Sequence, residues 1–385
     1  MKPVQSFIKG SAIRILTLTE DKISKSGVLP CPKNYTPGKA GVKRIGTNVK
    51  IVKETEDSTF IAKFNPDGTY SDEDFVILAT TDLHFEDDVT LRDKTYSMLA
   101  KNIEEIRPDF ILFTGDVIQS NYQQIDAVRF ARMMEEFGIY WAYVFGNHEA
   151  REPEEYYKYF LLENLSRYEH CLSKVGPKEL FGFGNFFVNI MDGENSLRQS
   201  LVFLDSGRNI TPKFRFEAGV PSNVEGYDYI KPSQMKWYAE NIRALEALYG
   251  ESKSLMFMHI PLKEYENVFQ LNDNGDYVPT GKAELIYGSM YESIGSSPVN
   301  TGMFSLIKKL GSTQAVFCGH DHVNDFYAIY QGVGLVYLQC GGYETYTMGD
   351  MRNWDEKDWQ QGVTKITLDK NKAYHLEQKL NSRFM

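Results

Sequence analysis

Five of the seven histidines in this 385-residue chain stand in short polar clusters, each directly after an apolar run. The clusters are Asp82-Leu83-His84, Gly115-Asp116, Gly146-Asn147-His148-Glu149, His259-Ile260-Pro261 and Gly319-His320-Asp321-His322. Carboxylates, imidazoles and one amide make a mixed oxygen and nitrogen donor set. Such a set suits Mn, Fe or Zn, and suits Ca poorly because Ca wants oxygen alone. The donors are too many for one tetrahedral ion and enough for two. Asp116, in the middle of the series, can bridge two ions ~3.5–4 Å apart. A pair of that kind deprotonates a water at neutral pH and holds the oxygens of a phosphate in line with it. Glycines beside Asp116, Asn147 and His320 let the backbone turn sharply and come close to ions and substrate.

Each cluster alone has a plainer reading. Asp82 fits a cap for the helix-like stretch near Thr90. Gly115-Asp116 fits an ordinary turn, and His320-x-His322 puts two imidazoles on one face of an extended segment with or without an ion. His170 and His375, outside the clusters, read as structural: one lies in a helix pattern and the other in a terminal strand. Convergence of all five clusters carries the metal reading.

The elements that must position them form a regular series. Phe75–Ala79, Phe110–Phe113, Tyr140–Phe145, Leu201–Leu204, Ser254–Met258 and Ala315–Cys318 are short apolar runs of the kind found in buried strands. Between them, Thr90–Ile106, Ile125–Phe137, a stretch opening at Pro153 and running to about Leu172, and Pro232–Leu248 are helix-like. Beyond Gly332 the helices stop, and Gly334–Leu338, Gly362–Leu368 and Ala373–Gln378 read as strands only. Alternating βα units followed by a strand-only tail predict two packed sheets with helices outside. Ligands in open α/β sheets gather at the carboxyl ends of strands, where the clusters sit.

Residues 1–74 read differently. Ile13–Leu18, Val49–Val52 and Thr59–Phe64 are strand-like, Gly27–Gly46 is turn-rich, and the whole is expected to be a β-rich extension ahead of a catalytic domain at 75–385. The net charge of -10 hides an asymmetry, because residues 1–50 carry +8 and the remaining 335 carry -18. A basic arm packed on its own acidic domain explains this better than a nucleic-acid-binding arm, since the cations form no dense run and no recognition motif follows. Composition excludes a mostly disordered chain, with 42% hydrophobic and 14% aromatic residues. No apolar run approaches the ~18 residues of a membrane span. The four cysteines lack C-x-x-C spacing, and Met1–Phe7 leads into no apolar signal core, so a reduced, soluble, cytoplasmic protein is expected.

The ordered series Asp-x-His, Gly-Asp, Gly-Asn-His-Glu, His and Gly-His-x-His resembles the signature of the calcineurin-like metallophosphoesterases over about residues 75–330. The resemblance implies a four-layer α/β/β/α sandwich with a dinuclear site at one edge. It implies one metal held by Asp82, His84, Asp116 and His322, and another by Asp116, Asn147, His259 and His320. His148 would contact the phosphate and protonate the leaving alkoxide, with Glu149 as its supporting partner. Phe257-Met258-His259-Ile260-Pro261-Leu262, Gly319–Phe326 and the helix entry Ile230–Trp237 are similar to the group related to the small purple acid phosphatases. That group places a Tyr ligand three residues beyond the Gly-Asp aspartate, where this chain has Gln119; Tyr122 is the nearest phenol. The Asp-Arg-Gly that resembles a protein Ser/Thr phosphatase is also missing.

The expected activity is therefore hydrolysis of a phosphate monoester on a small substrate, by attack of a hydroxide bridging two divalent ions. Alternatives are a phosphodiesterase acting on cyclic nucleotides or lipid headgroups, and an inactive surface- or nucleic-acid-binding protein that uses the basic arm. Substrate choice should lie in Gly207–Asp228 and Leu271–Gly302, whose Tyr, Phe and Asn name no ligand. Asp325, three residues past His322, is expected to orient a ligand histidine.

Overall fold

Alternation of side chains along each strand decides the layering of this molecule. The computed structural model describes residues 44–86, 88–149, 154–355 and 360–380; the strand expected at Ile13–Leu18 and the helix start at Pro153 lie outside them. In chain order the strands and helices are β1 (Val49–Glu54), β2 (Ser58–Lys63), β3 (Phe75–Thr80), α1 (Val89–Ile106), β4 (Phe110–Phe113), α2 (Gln123–Glu135), β5 (Trp141–Tyr143) and α3 (Glu154–Leu165). Then come β6 (Phe186–Gly193), β7 (Ser196–Phe203), α4 (Pro212–Glu217), α5 (Pro232–Tyr249), β8 (Ser254–Phe257), β9 (Phe269–Leu271), β10 (Tyr277–Pro279) and β11 (Glu284–Tyr287). The chain ends with α6 (Met303–Leu310), β12 (Thr313–Cys318), β13 (Tyr327–Tyr330), β14 (Val333–Tyr337), α7 (Met348–Arg352), β15 (Gly362–Leu368) and β16 (Tyr374–Leu380).

Two large sheets result. Among the described residues, one has nine strands in the order β1-β2-β6-β7-β8-β12-β14-β13-β11, and the other has five in the order β16-β15-β3-β4-β5. Successive strand residues point to opposite faces. Phe75, Ile77 and Ala79 of β3, Phe110 and Leu112 of β4, Phe203 of β7, Phe257 of β8 and Phe317 of β12 therefore fill one core between the sheets. The intervening residues face outward. Ile111 and Phe113 meet Leu99 of α1 and Phe130 of α2, while Met256 and Val316 meet Trp237 and Ile242 of α5 and Ile307 of α6. Helix, sheet, sheet, helix is the order of layers, as expected.

Two details differ from the sequence reading. The third helix ends at Leu165, and His170 lies beyond it, with its Nδ1 2.7 Å from Glu135 Oε2. Helices do not stop at Gly332: Thr347 and Asp350 cap the short α7, a one-turn element too brief to show apolar periodicity. β1 and β2 continue the nine-stranded sheet, β2 pairing parallel to β6 with Ser58 opposite Phe187.

Candidate metal centre

The five clusters all leave the carboxyl ends of strands: Asp82 and His84 follow β3, Asp116 follows β4, Asn147 follows β5, His259 follows β8, and His320 and His322 follow β12. Asp88, not Asp82, caps α1, its side chain accepting from the Thr90 and Leu91 N–H groups. Asp82 is thereby left to the centre. The turns are unusually tight. Asp82, His84, Asp116 and His320 have φ of 53°, 46°, 48° and 80°, a left-handed backbone that costs of order 1–3 kcal/mol per residue and persists only where the surroundings enforce it. Here they do: Asp82 N–H donates to Gly115 O at 3.0 Å, His84 N–H to Asp116 O at 2.9 Å and Gly319 N–H to His259 O at 3.1 Å. A Cβ on Gly146 would lie 2.1 Å from Asp116 Oδ1, and one on Gly319 would lie 1.9 Å from Thr81 Oγ1, so both positions require glycine.

Two triplets of donor atoms form, Asp82, His84 and His322 in one and Asp116, His259 and His320 in the other, each set within 4.8 Å of one another and buried. In the first, His84 Nε2 and His322 Nε2 are 3.2 Å apart, and Asp82 Oδ1 lies 3.7 and 3.4 Å from them. In the second, Asp116 Oδ2 is 3.1 Å from His259 Nε2, and Asn147 Oδ1 is 3.0 Å from the same nitrogen. Asp116 Oδ2 also lies 3.8 Å from His84 Nε2, so this one oxygen faces both triplets.

Cations fit this donor set. Asp82 Oδ1 is buried and has no hydrogen-bond partner, which is costly for a carboxylate oxygen unless an ion takes the place. His259 Nδ1 faces the Thr114 carbonyl oxygen at 2.8 Å and His84 Nδ1 faces the Gln119 side-chain oxygen. Both rings must donate there, which turns their Nε2 lone pairs inward. Burial would raise both aspartates, but His322 and His259 hold Asp82 well below the usual carboxylate range, and His259 and His84 do the same for Asp116. Conversely, burial opposes a proton on His259, yet Asp116 and Asp82 push its pKa up to about 10. Burial and the His259 charge push His320 down to about 3. The pocket favours positive charge at its middle, on His259 or on a cation that takes the place of its proton, and keeps His320 neutral.

His148 differs from the rest. Its side chain is 41% exposed, with Nε2 3.8 Å from Asp116 Oδ2. Its backbone is held, the N–H donating to Asp116 Oδ1 at 2.8 Å and the carbonyl accepting from Gln123 Nε2.

Glu149 does not support His148 as expected. Its buried carboxylate accepts four backbone N–H groups, those of Asp116 (3.0 Å), Val117, Ile118 (3.1 Å) and Gly146 (2.7 Å), and so staples the loop after β4 to the loop after β5. Nor does Asp325 reach a histidine ring. It accepts the Ser289 N–H at 2.8 Å, because the chain turns away from the centre after His322. Tyr122 is 48% exposed at the start of α2. The residues that sequence reasoning missed are Gln119 on His84, Thr345 and Tyr346 on His322, and Tyr227, whose ring stands edge-on to His320 with centroids 4.2 Å apart. Gln119 left a trace as the residue in place of a tyrosine, and Tyr227 only as part of the segment Gly207–Asp228.

No helix among the described residues is long and apolar enough to cross a membrane. The chain is 28% identical over 320 residues to "Probable inactive purple acid phosphatase 14" of Arabidopsis thaliana, covering 74% of this chain and 73% of the relative. It is 28% identical to "Phosphatase DCR2" of Saccharomyces cerevisiae, covering 60% of this chain and 39% of that one. A dimetal phosphatase structure from Danio rerio aligns with 80% of this chain and 96% of its own, at 14% identity and a TM-score of 0.49. The family described as calcineurin-like phosphoesterase matches residues 75–324, from the first strand of the five-stranded sheet through the last histidine cluster, and the chain belongs to that family.

Proposed function

We propose that this chain hydrolyses a phosphate monoester at a centre of two divalent cations, Mn, Fe or Zn. Asp82, His84, Asp116 and His322 would hold one, and Asp116, Asn147, His259 and His320 the other. The observation that carries this reading is the place of Asp116 Oδ2, 3.1 Å from His259 Nε2 on one side and 3.8 Å from His84 Nε2 on the other. Bound there, the cations supply Lewis acidity that acidifies a water and neutralises phosphate oxygens. The protein's own part is to fix the donors before substrate arrives, through strained turns and the Glu149 staple. His148 then serves the leaving group. On the solvent side of Asp116, its Nε2 can pass a proton to the departing alkoxide oxygen, and its fixed backbone limits where that nitrogen can reach.

The name of the plant relative raises a second reading, an inactive member of the family. Retention of all seven donors, with an orphaned carboxylate oxygen among them, favours an active centre. The test is to strip the full chain with chelator, add back Mn2+, Zn2+ or Fe2+, and assay nitrophenyl phosphate beside its bis-ester. Monoester turnover that returns with metal and is absent in Asp82→Ala supports the proposal. Preference for the bis-ester moves the substrate to the diester class. Two bound ions with no turnover of either compound would favour the inactive reading.

A further inference from the structure

His322 is gripped on three sides by a segment that none of the five clusters includes. After β14 the chain turns back over the centre at residues 341–347. Thr345 Oγ1 lies 2.5 Å from His322 Nδ1. The Tyr346 ring stacks on the imidazole, with centroids 4.2 Å apart and 17° between planes. The Tyr346 hydroxyl oxygen also accepts the His322 N–H at 3.4 Å and points its own proton at the Glu292 carboxylate, 2.7 and 2.8 Å away. One edge, one face and the backbone of the same histidine are thus held from two consecutive positions.

Both ends of this clamp are themselves fixed. Glu344 accepts the N–H groups of Glu86 and Asp88 at 2.7 and 2.8 Å, tying the segment to the loop that carries His84. Glu292 sits on a loop clasped by the residues between and beyond the two histidines of the last cluster. Asp321 accepts the Gly295 N–H at 3.0 Å, Asn324 accepts the Tyr291 and Glu292 N–H groups at 2.9 and 3.2 Å, and Asp325 accepts the Ser289 N–H. The Glu292 carboxylate returns to the Val323 N–H at 3.1 Å, one residue past His322.

A ring nitrogen pinned by a hydrogen bond fixes which nitrogen keeps its lone pair, and such partners typically change metal affinity about 10–100-fold. For His322 Nε2 to offer its lone pair to a cation beside Asp82 Oδ1, 3.4 Å away, Nδ1 must carry the ring proton, and Thr345 Oγ1 stands where it can accept that proton. The stacked phenol blocks rotation of the ring out of that direction. We propose that Thr345 and Tyr346 are positioning residues that hold His322 in the Nδ1–H form and in the plane of a metal ligand, an inference that rests on the two-cation reading of the centre.

The test is Co2+ titration of the metal-free full chain, followed by the visible absorption of the bound ion. Thr345→Val, nearly isosteric but unable to accept from Nδ1, should weaken one ion about 10–100-fold and leave the other within twofold. Thr345→Ser should restore wild-type binding, and Tyr346→Leu should weaken the same ion. His322→Ala is the control. If it binds two ions as the wild type does, the two-cation reading fails. If it loses one ion while Thr345→Val binds both within fivefold of wild type, the positioning role alone is overturned. Equal weakening of both ions in Thr345→Val, with a lowered thermal midpoint of the metal-free protein, would also overturn it, as general damage.

Discussion

The side-chain oxygen of Gln119 accepts the Nδ1–H of His84. This chain thus has an amide held against the His84 ring where the purple acid phosphatase pattern has a phenol binding the ion itself. Colour in those enzymes comes from a phenolate bound to ferric iron, and a neutral amide held against an imidazole supplies no such band. The iron-loaded protein is expected to be colourless or pale and to work without a ferric ion. A strong visible band that vanishes in Tyr122→Phe would overturn this. Gln119→Leu should weaken the ion bound by His84 about 10–100-fold, measured by metal titration.

Asp116→Asn gives a clean test of bridging. Asp116 Oδ1 accepts the His148 N–H at 2.8 Å, a bond that an asparagine oxygen can keep. What the substitution removes is the negative charge at Oδ2, the atom that faces both triplets. Both ions and activity should be lost together, and elemental analysis that finds two metals per chain in Asp116→Asn would sink the bridging role.

The parts of the centre legible in the sequence are those where chemistry and local structure coincide. Gly146 and Gly319 announce close approaches because no other residue fits beside Asp116 and Thr81. α5 was readable from Pro232 at its first turn and from its apolar stripe. β6 was not: it is buried along six of its eight residues and carries Asn189, whose Oδ1 accepts from Ser200 Oγ across the sheet, so neither alternation nor an unbroken apolar run marks it. Thr345 and Tyr346 lie more than twenty residues from His322, with a β-hairpin between. Nothing local in the sequence reports a contact made by the fold.

Asp325 shows how closeness in sequence misleads, and it gives a prediction in the opposite direction from the one its position suggests. Since its carboxylate serves Ser289 and not an imidazole, Asp325→Asn should bind both metals with wild-type affinity. Burial pushes its pKa from the ordinary 3.8 up to about 6. A carboxyl raised in this way holds its proton more firmly folded than unfolded. Its contribution to stability is full below about 3.8 and is lost as pH rises through about 6. Asp325→Asn should remove that slope, so its unfolding free energy should fall less than wild type between those pH values. Parallel slopes by urea denaturation of the metal-free proteins would refute the assignment.

Deletion of residues 1–70 tests whether the amino-terminal extension is a separate module. β1 and β2 lie within it, and β2 pairs with β6 over five residue pairs, Ser58 opposite Phe187 through Ala62 opposite Met191. Val49 and Ile61 belong to the core between the sheets, and Phe60 and Ala62 to the core under α5. Removing them uncovers both faces at that edge and leaves β6 as an unpaired edge, an arrangement prone to aggregation. Each large apolar side chain withdrawn from the core forfeits about 1.5–3 kcal/mol. The truncated protein should therefore melt well below the full chain or fail to stay in solution. The strands that carry the donors, β3, β4, β5, β8 and β12, all lie outside the deleted segment, and β6 and β7 stand between β2 and β8, so metal binding by any folded fraction should persist. A truncated protein that melts like the full chain would mean that the extension is independent, and the reading of its basic residues as a partner-binding arm would gain.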